Sequence, residues 1–169
     1  MAERAASLTR IELLQGMPVF GAIRDDTLRL LLERSRSVSV AAGGYFCHEG
    51  DRAESMFVLD AGRVEVLKNW QQREFVLHSL GVGDCFGEMA LLDLFPRSAS
   101  VRAVEDCSAI EIGAADLLQL FERDPEQFAL IQMNIAREVC RRLRATDELL
   151  FRISMGERNA IAGPWFRAA

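Results

Sequence analysis

Short apolar runs separated by glycine turns fill the chain from Ser37 to Ile112, and no other feature of the sequence limits the fold so strongly. The runs are rich in β-branched and aromatic residues, which are typical of strands. They are Val38–Val40, Tyr45–Cys47, Met56–Leu59, Val64–Leu67, Glu74–Leu77 and Ala109–Ile112. Short strands at regular spacing, with turn residues between them, indicate an antiparallel sandwich or barrel. We therefore expect a β-domain over residues 36–113.

Helical patterns flank this β-domain on both sides. The N-terminal segment, residues 1–35, has two short helical patterns, Leu8–Gln15 and Asp25–Arg34. The C-terminal helical segment, residues 114–155, begins with a predicted helix over Ala114–Arg123. Both segments carry enough leucine and isoleucine to bury one face against the β-domain.

The longest helix is predicted to begin at Pro125 and to run to about Ser154. Asp124 suits the N-cap position and proline suits the first helical position. From Glu126 to Met155 the sequence contains neither glycine nor proline. The tail, residues 156–169, contains a Gly-Pro pair and is predicted to be irregular. The fold class is therefore mainly β with flanking helices, all in one domain.

Length and charge exclude several classes of protein. At 169 residues the chain suits one domain with a substantial core. The net charge of −5 argues against broad affinity for nucleic-acid backbones. No apolar run approaches the roughly 20 residues that span a bilayer, and residues 1–7 lack the apolar core of a signal peptide. We expect a cytoplasmic protein without membrane contact.

The cysteines and histidines give no sign of a metal centre or a prosthetic group. The four cysteines are Cys47, Cys85, Cys107 and Cys140, and they lie far apart without a C-x-x-C pair. Metal and iron–sulfur sites need clustered ligands. We expect reduced cysteines that act as small apolar residues.

Residues 86–101 carry the strongest functional signal in the chain. Gly87 lets the backbone approach a ligand closely because it has no Cβ. Arg97 offers a planar, permanently charged set of donors that suits a phosphate. Glu88 is purely an acceptor when it is ionised, so it favours hydroxyl groups and repels a phosphate. A ligand with a phosphate at one end and a ribose hydroxyl at the other satisfies both side chains.

This stretch resembles the phosphate-binding cassette of cyclic nucleotide-binding domains, which occur in catabolite activator proteins, protein kinase A regulatory subunits and cyclic nucleotide-gated channels. The family pattern is roughly F-G-E-h-A-h-h, a short spacer, and P-R-(S/A/T)-A-(S/T)-V, where h is apolar, and residues 86–101 match each position. The resemblance extends from about Leu13 to Ile153. It implies an eight-stranded antiparallel β-roll with jelly-roll topology, N-terminal helices and a long C-terminal helix.

The resemblance also implies a set of site residues. The ligand-binding positions are Phe86, Gly87, Glu88, Met89, Ala90, Arg97, Ser98 and Ala99. Arg97 corresponds to the phosphate ligand and Glu88 to the ribose ligand. Ser98 corresponds to a residue that reaches the phosphate and, in some relatives, helps to hold guanine. Met89 and Leu91 fit core packing better than contact with the base.

A base pocket is implied less specifically. Val66, Leu77 and Leu80 match apolar positions that line this pocket in the family, and ordinary core packing explains them equally well. His78 stands where relatives often carry a small residue. Thr146 lies in a segment similar to the one whose threonine reaches the adenine amino group in activators. A polar residue that only fixes the register of the helix is the alternative for Thr146.

The long helix carries an apolar stripe and a basic run. The stripe is Ile135, Val139, Leu143, Thr146, Leu150 and Ile153, which is nearly a heptad repeat. Part of it is expected to pack on the β-roll and part on a second chain, in a parallel homodimer. The basic run is Arg137, Arg141, Arg142 and Arg144. A solvated face with pairs such as Glu138–Arg142 explains this run better than nucleic-acid contact does.

The leading interpretation is a cyclic nucleotide-sensing module, with cAMP favoured over cGMP, that signals through its C-terminal helix to a dimer partner or an effector protein. One alternative is an interaction protein that keeps the fold without a ligand, but the intact Gly87, Glu88 and Arg97 argue against it. Another is a phosphodiesterase, which would need a metal or an activated nucleophile. We expect no enzymatic activity, and no direct DNA binding because no segment after Ile153 can supply a recognition helix.

Overall fold

The computed structural model describes residues 10–71, 73–156 and 167–168. Eight strands form two antiparallel sheets that pack face to face, and this confirms the predicted β-roll. The strands are β1 (Arg36–Val40), β2 (Tyr45–Cys47), β3 (Ser55–Ala61), β4 (Val64–Trp70), β5 (Arg73–Leu80), β6 (Cys85–Phe86), β7 (Ser100–Ala103) and β8 (Cys107–Gly113). The first sheet has the order β1-β8-β3-β6. The second has the order β2-β7-β4-β5-β9, where the ninth strand is the two-residue strand β9 (Arg167–Ala168) at its edge.

The core between the two sheets is built from the inward faces of the strands. Val64 pairs with Leu80 across β4 and β5, and both side chains are buried there. Three phenylalanine rings, those of Phe46, Phe57 and Phe86, pack together with centroid distances of 5.2–5.7 Å. Because Phe86 begins the cassette, this aromatic cluster fixes the start of the cassette on the roll.

The helices cover the outer face of the first sheet. They are α1, of which residues 10–15 are described, α2 (Asp25–Arg34), α3 (Met89–Asp93), α4 (Ala114–Arg123) and α5 (Pro125–Ser154), with a 3₁₀ turn at Pro18–Phe20. A second core forms between this sheet and the helices, and it contains Leu14, Phe20, Leu28, Leu31, Met56, Val58, Ile110, Ile112, Leu120, Ile131 and Ile135. Residues on both faces of β3 and β8 are therefore buried, which explains the apolar run Met56–Leu59 in β3 and the buried Ala109, Ile110 and Ile112 in β8.

The boundaries of α2, α4 and α5 agree with the predicted ones, and the predicted start of the first helix at Leu8 lies outside the described residues. The helix α5 begins at Pro125, and Asp124 caps it by accepting a hydrogen bond from the backbone N–H of Gln127 at 3.2 Å. The capping prediction for Asp124 is thus confirmed. None of the described helices is long and apolar enough to cross a membrane.

Three short strands were not anticipated from the sequence. The strands β6 and β7 flank the cassette, and they are too short to show a strand pattern of their own. A two-residue strand, β9 (Arg167–Ala168), pairs with Phe75 and Val76 on the free edge of β5, where the sequence predicted irregular chain. The rest of that tail, residues 157–166 and 169, lies outside the described residues.

Candidate functional site

The cassette is a loop-and-helix excursion between β6 and β7. After Phe86 the backbone turns at Gly87, which has a φ of +79° in the left-handed region. The single-turn helix α3 follows, and Leu94 ends it in a left-handed conformation with a φ of +58°. The chain then returns through Pro96 and Arg97 to β7. This path brings Glu88 and Arg97 back to the same end of the roll.

Arg97 is held by the β-roll itself. Its side chain is buried, with 7% of the residue exposed. Nη1 donates to the backbone oxygens of Ser55, at 2.7 Å, and of Gly87, at 3.1 Å. Nη2 donates to the Oγ of Ser55 at 3.2 Å, and the guanidinium carbon lies 5.4 Å from the centroid of the Phe57 ring. The guanidinium is thus oriented by fixed backbone groups, which pre-organises it for an anion.

Gly87 is needed for this arrangement on two counts. A Cβ at this position would overlap Nη1 of Arg97 and approach the backbone oxygen of Ser55 to 3.4 Å. The positive φ also disfavours any residue with a side chain. The sequence predicted that Gly87 lets the backbone approach a ligand closely. In the structure the group that approaches the Gly87 backbone is the guanidinium of Arg97.

Glu88 is more deeply buried than Arg97, with 2% of the residue exposed. One of its oxygens, Oε1, lies 2.6 Å from Nη1 of Arg142 on α5. Burial raises the pKa of this carboxyl above its ordinary value of 4.5, and the positive charge of Arg142 acts in the opposite direction. The residue predicted to bind ribose hydroxyls is therefore already paired with a cation of the long helix.

Arg142 is the functional candidate that sequence reasoning missed. Besides Glu88, its guanidinium donates to the backbone oxygen of Cys85 at 2.9 Å and pairs with Glu138 at 3.3 Å. The predicted Glu138–Arg142 pair is present. Because this pair alone explains an arginine on the surface of a helix, the sequence offered no reason to look for a second partner of Arg142. The contact with Glu88 joins residues 54 positions apart. A local pattern gives no signal for such a contact.

The remaining cassette residues divide into buried and exposed groups. Phe86, Ala90 and Ala99 are buried. Ser98 is exposed, and its Oγ lies 4.0 Å from the sulfur of Met89. Met89 is 43% exposed, so the expectation that it packs in the core was wrong. The reason is that α3 turns its first residue outward, next to Ser98, while Leu91 packs against the helical core.

The predicted base-pocket residues come together only in part. Val66 and Leu80 are buried in the core between the sheets, together with Phe86 and Ala99, and Leu77 packs against them while half-buried. Thr146 is exposed on α5, and its Oγ1 donates to the backbone oxygen of Arg142, one turn earlier, at 3.0 Å. The contacts of the described chain thus tie Thr146 to its own helix.

An open cleft of about 430 Å³ lies against Arg97, and its wall includes Phe46, Cys47, Ser55 and Phe57. Glu88 is not among the residues that line it. The cation of the site faces open space on this side, whereas the carboxylate is covered by Arg142. The two arms of the site therefore differ in how accessible they are.

The cysteines and acidic residues in the described part of the chain do not assemble a metal centre. Within residues 10–71, 73–156 and 167–168, no group of three or more His, Cys, Asp or Glu side chains could hold a metal ion. All four cysteines are free thiols, and Cys140 is exposed, contrary to the expectation of burial. Burial raises the pKa of Cys85 to about 12, so this thiol next to Glu88 stays protonated.

Comparison with known proteins places this geometry in a family. The sequence profile of the family described as "cyclic nucleotide-binding domain" matches residues 37–124, which include the whole cassette. This chain belongs to that family.

Two curated members of the cyclic nucleotide-binding family are similar over most of the chain. The "Cyclic AMP receptor protein" of Thermus thermophilus is 33% identical over 153 residues, 88% of this chain and 68% of that protein. The "cAMP-activated global transcriptional regulator CRP" of Salmonella typhimurium is 32% identical over 126 residues, 73% of this chain and 58% of the regulator. The chain thus spans between half and seven-tenths of the length of these two relatives.

Solved structures of the family superpose on the roll and its helices. The catabolite activator protein of Thermus thermophilus has a TM-score of 0.71 at 32% identity, over 81% of this chain and 63% of that one. The regulatory domain of Toxoplasma gondii PKA with cAMP has a TM-score of 0.65 at 25% identity, over 68% of this chain and 44% of that one. A cyclic nucleotide-binding domain from Methylobacillus flagellatus, at 22% identity, shares the fold with a TM-score of 0.74 over 84% of this chain and 81% of that one.

Proposed function

We propose that this chain is a regulatory sensor that binds cAMP in preference to cGMP and signals through α5 to a dimer partner or an effector protein. The observation that carries the proposal is the contact between Glu88 and Arg142, at 2.6 Å. It joins the carboxylate that would receive the ribose to the helix that would transmit the signal. The sensor would work in the cytoplasm, without enzymatic activity of its own.

The phosphate arm of the proposed site consists of Arg97 and the backbone around it. Arg97 presents a guanidinium whose orientation is set by Ser55 and Gly87. Such a fixed fork suits the paired oxygens of a cyclic phosphodiester. Ser98 is exposed beside it and can add a hydroxyl donor. An exposed serine and a fixed arginine next to each other support an anion ligand on this side.

The ribose arm of the proposed site is Glu88. An ionised carboxylate accepts hydrogen bonds from hydroxyl groups, and the 2′-hydroxyl of a cyclic nucleotide is such a donor. In the described structure Arg142 occupies one oxygen of this carboxylate. A ligand that bonds to Glu88 therefore changes the partners of Arg142, and through them the position of α5 on the roll. This exchange of partners is the proposed signal.

The cAMP preference rests on relatives and on one segment of α5. One of the two relatives named above is described as a cyclic AMP receptor protein and the other as a cAMP-activated transcriptional regulator. Thr146 would reach the adenine amino group if its segment of α5 closed over the base. In the present structure it bonds instead to Arg142, so the closing motion forms part of the proposal.

The second half of α5 supports a dimer. Ile135 is fully buried on the roll and Val139 is half-buried. Farther along the helix, Leu143 and Leu150 are 58% and 59% exposed. The predicted stripe thus splits into a part that packs on the same chain and a part that a second copy could cover.

Calorimetric titration with cAMP and cGMP tests the proposed ligand. We expect saturable binding of both at one site per chain, with the smaller dissociation constant for cAMP. Absence of heat and of thermal stabilisation with either nucleotide would leave an interaction protein that only retains the fold. Chromatography of the nucleotide after long incubation should return intact cAMP; its hydrolysis would indicate an enzyme.

Light scattering tests the proposed dimer. We expect twice the mass of the chain at high concentration, with or without cAMP. A monomer under all conditions would remove the dimer from the proposal and leave the effector as the receiver of the signal.

A gel-shift titration tests the expected lack of direct DNA binding. We expect no competitor-resistant complex with DNA, with or without cAMP.

A further inference from the structure

The strand β5 is the longest edge strand of the roll. If β9 is set aside, the edges of the two sheets are β1 and β6 in the first sheet and β2 and β5 in the second. The strand β5 has eight residues, whereas β1, β2 and β6 have five, three and two. An edge strand presents a row of backbone N–H and C=O groups that can pair with another extended chain. Another strand therefore gains most hydrogen bonds at the edge of β5.

The edge of β5 has few of the features that protect an exposed edge. Proteins usually guard such edges with lysine, other charged side chains, proline or a β-bulge. From Phe75 to Leu80 the sequence contains no lysine, arginine, aspartate, glutamate or proline. A bulge is present, because Leu77 is the extra residue of β5 between Val76 and His78 in the pairing with β4. The bulge leaves the stretch of β5 that precedes it regular and open to pairing.

The chain's own C-terminal strand lies on this regular stretch. In the antiparallel pairing of β5 with β9, Phe75 is opposite Ala168 and Val76 is opposite Arg167. The pairing reaches the bulge and covers two of the eight residues of β5. A strand pairing this short contributes little stability by itself. Another extended segment could therefore take the place of β9.

We propose that the edge of β5 at Phe75 and Val76 is a docking site for an extended peptide, and that β9 is its intramolecular occupant. A peptide that docks there adds a strand to the second sheet through backbone hydrogen bonds. The residues that precede β9 in the sequence are Trp165 and Phe166, and aromatic residues favour strands. The partner is accordingly an extended segment rich in aromatic and apolar residues.

The tether of the C-terminus decides which segment occupies the edge. A segment that is joined to its site by a short linker acts at an effective concentration on the order of millimolar. A free copy of the same segment at micromolar concentration competes poorly with it. The contact between β9 and β5 is therefore autoinhibitory, and a partner must pair with the edge more strongly than β9 does.

The test uses the full-length double variant Arg167→Pro/Ala168→Pro. Proline has no backbone N–H and does not fit a paired strand, so the substitutions release the edge of β5. The probe is a fluorescein-labelled synthetic peptide of residues 163–169, Gly-Pro-Trp-Phe-Arg-Ala-Ala. In an anisotropy titration we expect its dissociation constant to be at least about tenfold smaller for the variant than for the wild type, where the tethered strand competes. A peptide that carries the same two prolines should bind neither protein.

Hydrogen exchange over residues 73–80 locates the bound peptide. We expect this segment to exchange faster in the double variant than in the wild type, and the peptide to restore its protection. A chain that ends at Gly156 keeps all eight strands of the roll and both cores. It should behave as the double variant does, which guards against an effect of the introduced prolines themselves.

Three results would refute the docking site. The first is that neither variant binds the peptide, or that both bind it no better than the wild type does. The second is peptide binding that leaves the exchange of residues 73–80 unchanged, because the peptide then lies elsewhere. The third is protection of these residues in the variants without peptide, together with a larger mass by light scattering than that of the wild type. That result would identify a second copy of the chain as the occupant of the edge.

Discussion

Arg97 and Glu88 belong to the same cassette and are both buried, but their partners differ in kind. Arg97 is bonded to the backbone oxygens of Ser55, the first residue of β3, and of Gly87, which directly follows β6. Glu88 is bonded to a long side chain of α5, Arg142, which can move with its helix. The phosphate arm is thus built into the rigid part of the fold, and the ribose arm is shared with the helix. This difference suggests that the first arm supplies affinity and the second supplies the signal.

The largest effect should follow from a change in the rigid arm. We expect Arg97→Ala to weaken cAMP binding by at least about 30-fold, since truncating one member of a buried, hydrogen-bonded charge contact costs about 2–5 kcal/mol. Arg97→Lys keeps the charge but loses the planar fork, so its affinity for cAMP should lie between that of the wild type and that of Arg97→Ala. Calorimetric titration measures both.

The matched control for Arg97 is Arg29→Ala, because Arg29 is exposed on α2 and does not line the cleft against Arg97. It should bind cAMP as the wild type does. Arg97→Ala also leaves the backbone oxygens of Ser55 and Gly87 without their donor, so its thermal unfolding should be recorded beside the titration. Undiminished affinity in a folded Arg97→Ala variant would show that the phosphate lies elsewhere.

A change in the helix-linked arm should alter selectivity more than overall affinity. We expect Glu88→Gln to reduce the preference for cAMP over its 2′-deoxy analogue by about tenfold, the factor for a hydrogen bond to a charged group. The rest of the site is unchanged, so the deoxy analogue should bind the variant and the wild type about equally. Competition between the two nucleotides gives the ratio directly. If Glu88→Gln kept the preference of the wild type for cAMP over the 2′-deoxy analogue, a residue other than Glu88 would have to contact the ribose hydroxyl.

The buried carboxylate should also shape the pH dependence of stability. The pKa of Glu88 is raised by burial, so the folded protein holds this proton more tightly than the unfolded chain does. Its contribution to stability is therefore greatest below the ordinary value of 4.5 and is lost as the pH rises through the raised value. In denaturant unfolding across this range, the free energy of unfolding of the wild type should fall relative to that of Glu88→Gln as the pH rises. Parallel profiles would mean that Glu88 is not perturbed in the folded state.

The smallest effect concerns α5 in the absence of ligand. We expect Arg142→Ala to increase hydrogen exchange by a few-fold over residues 143–155, because it removes the contacts of α5 with Glu88 and Cys85. Arg141→Ala is the control, since Arg141 pairs only with Glu138 on the same helix among the described contacts. Equal exchange in both variants would show that the Glu88 contact does not hold the helix.

The sequence was sufficient for the parts of this account that depend on local patterns. The helices at Asp25–Arg34 and Ala114–Arg123 and the cap at Asp124 follow from spacing and capping residues. The cassette motif located Glu88 and Arg97. The motif did not reveal that Arg97 bonds to Ser55, because Ser55 begins a different strand and no local rule connects the two.

Arg142 and Met89 show why the rest could not be predicted. Arg142 had a satisfactory local explanation in Glu138, and its second partner comes from across the fold. Met89 is apolar and lies in an apolar helical turn, but α3 is too short to have a fully buried face, so its first residue remains exposed. In both cases the deciding contact depends on how α3 and α5 sit on the roll.

Hydrogen exchange over residues 143–155 with and without saturating cAMP tests the central claim most directly. We predict that cAMP changes the protection of this segment in the wild type. At a nucleotide concentration that saturates each variant, we predict a much smaller change in Glu88→Gln and in Arg142→Ala. An equal change in all three proteins would contradict the claim that the signal passes from the ribose arm to α5 through Glu88 and Arg142.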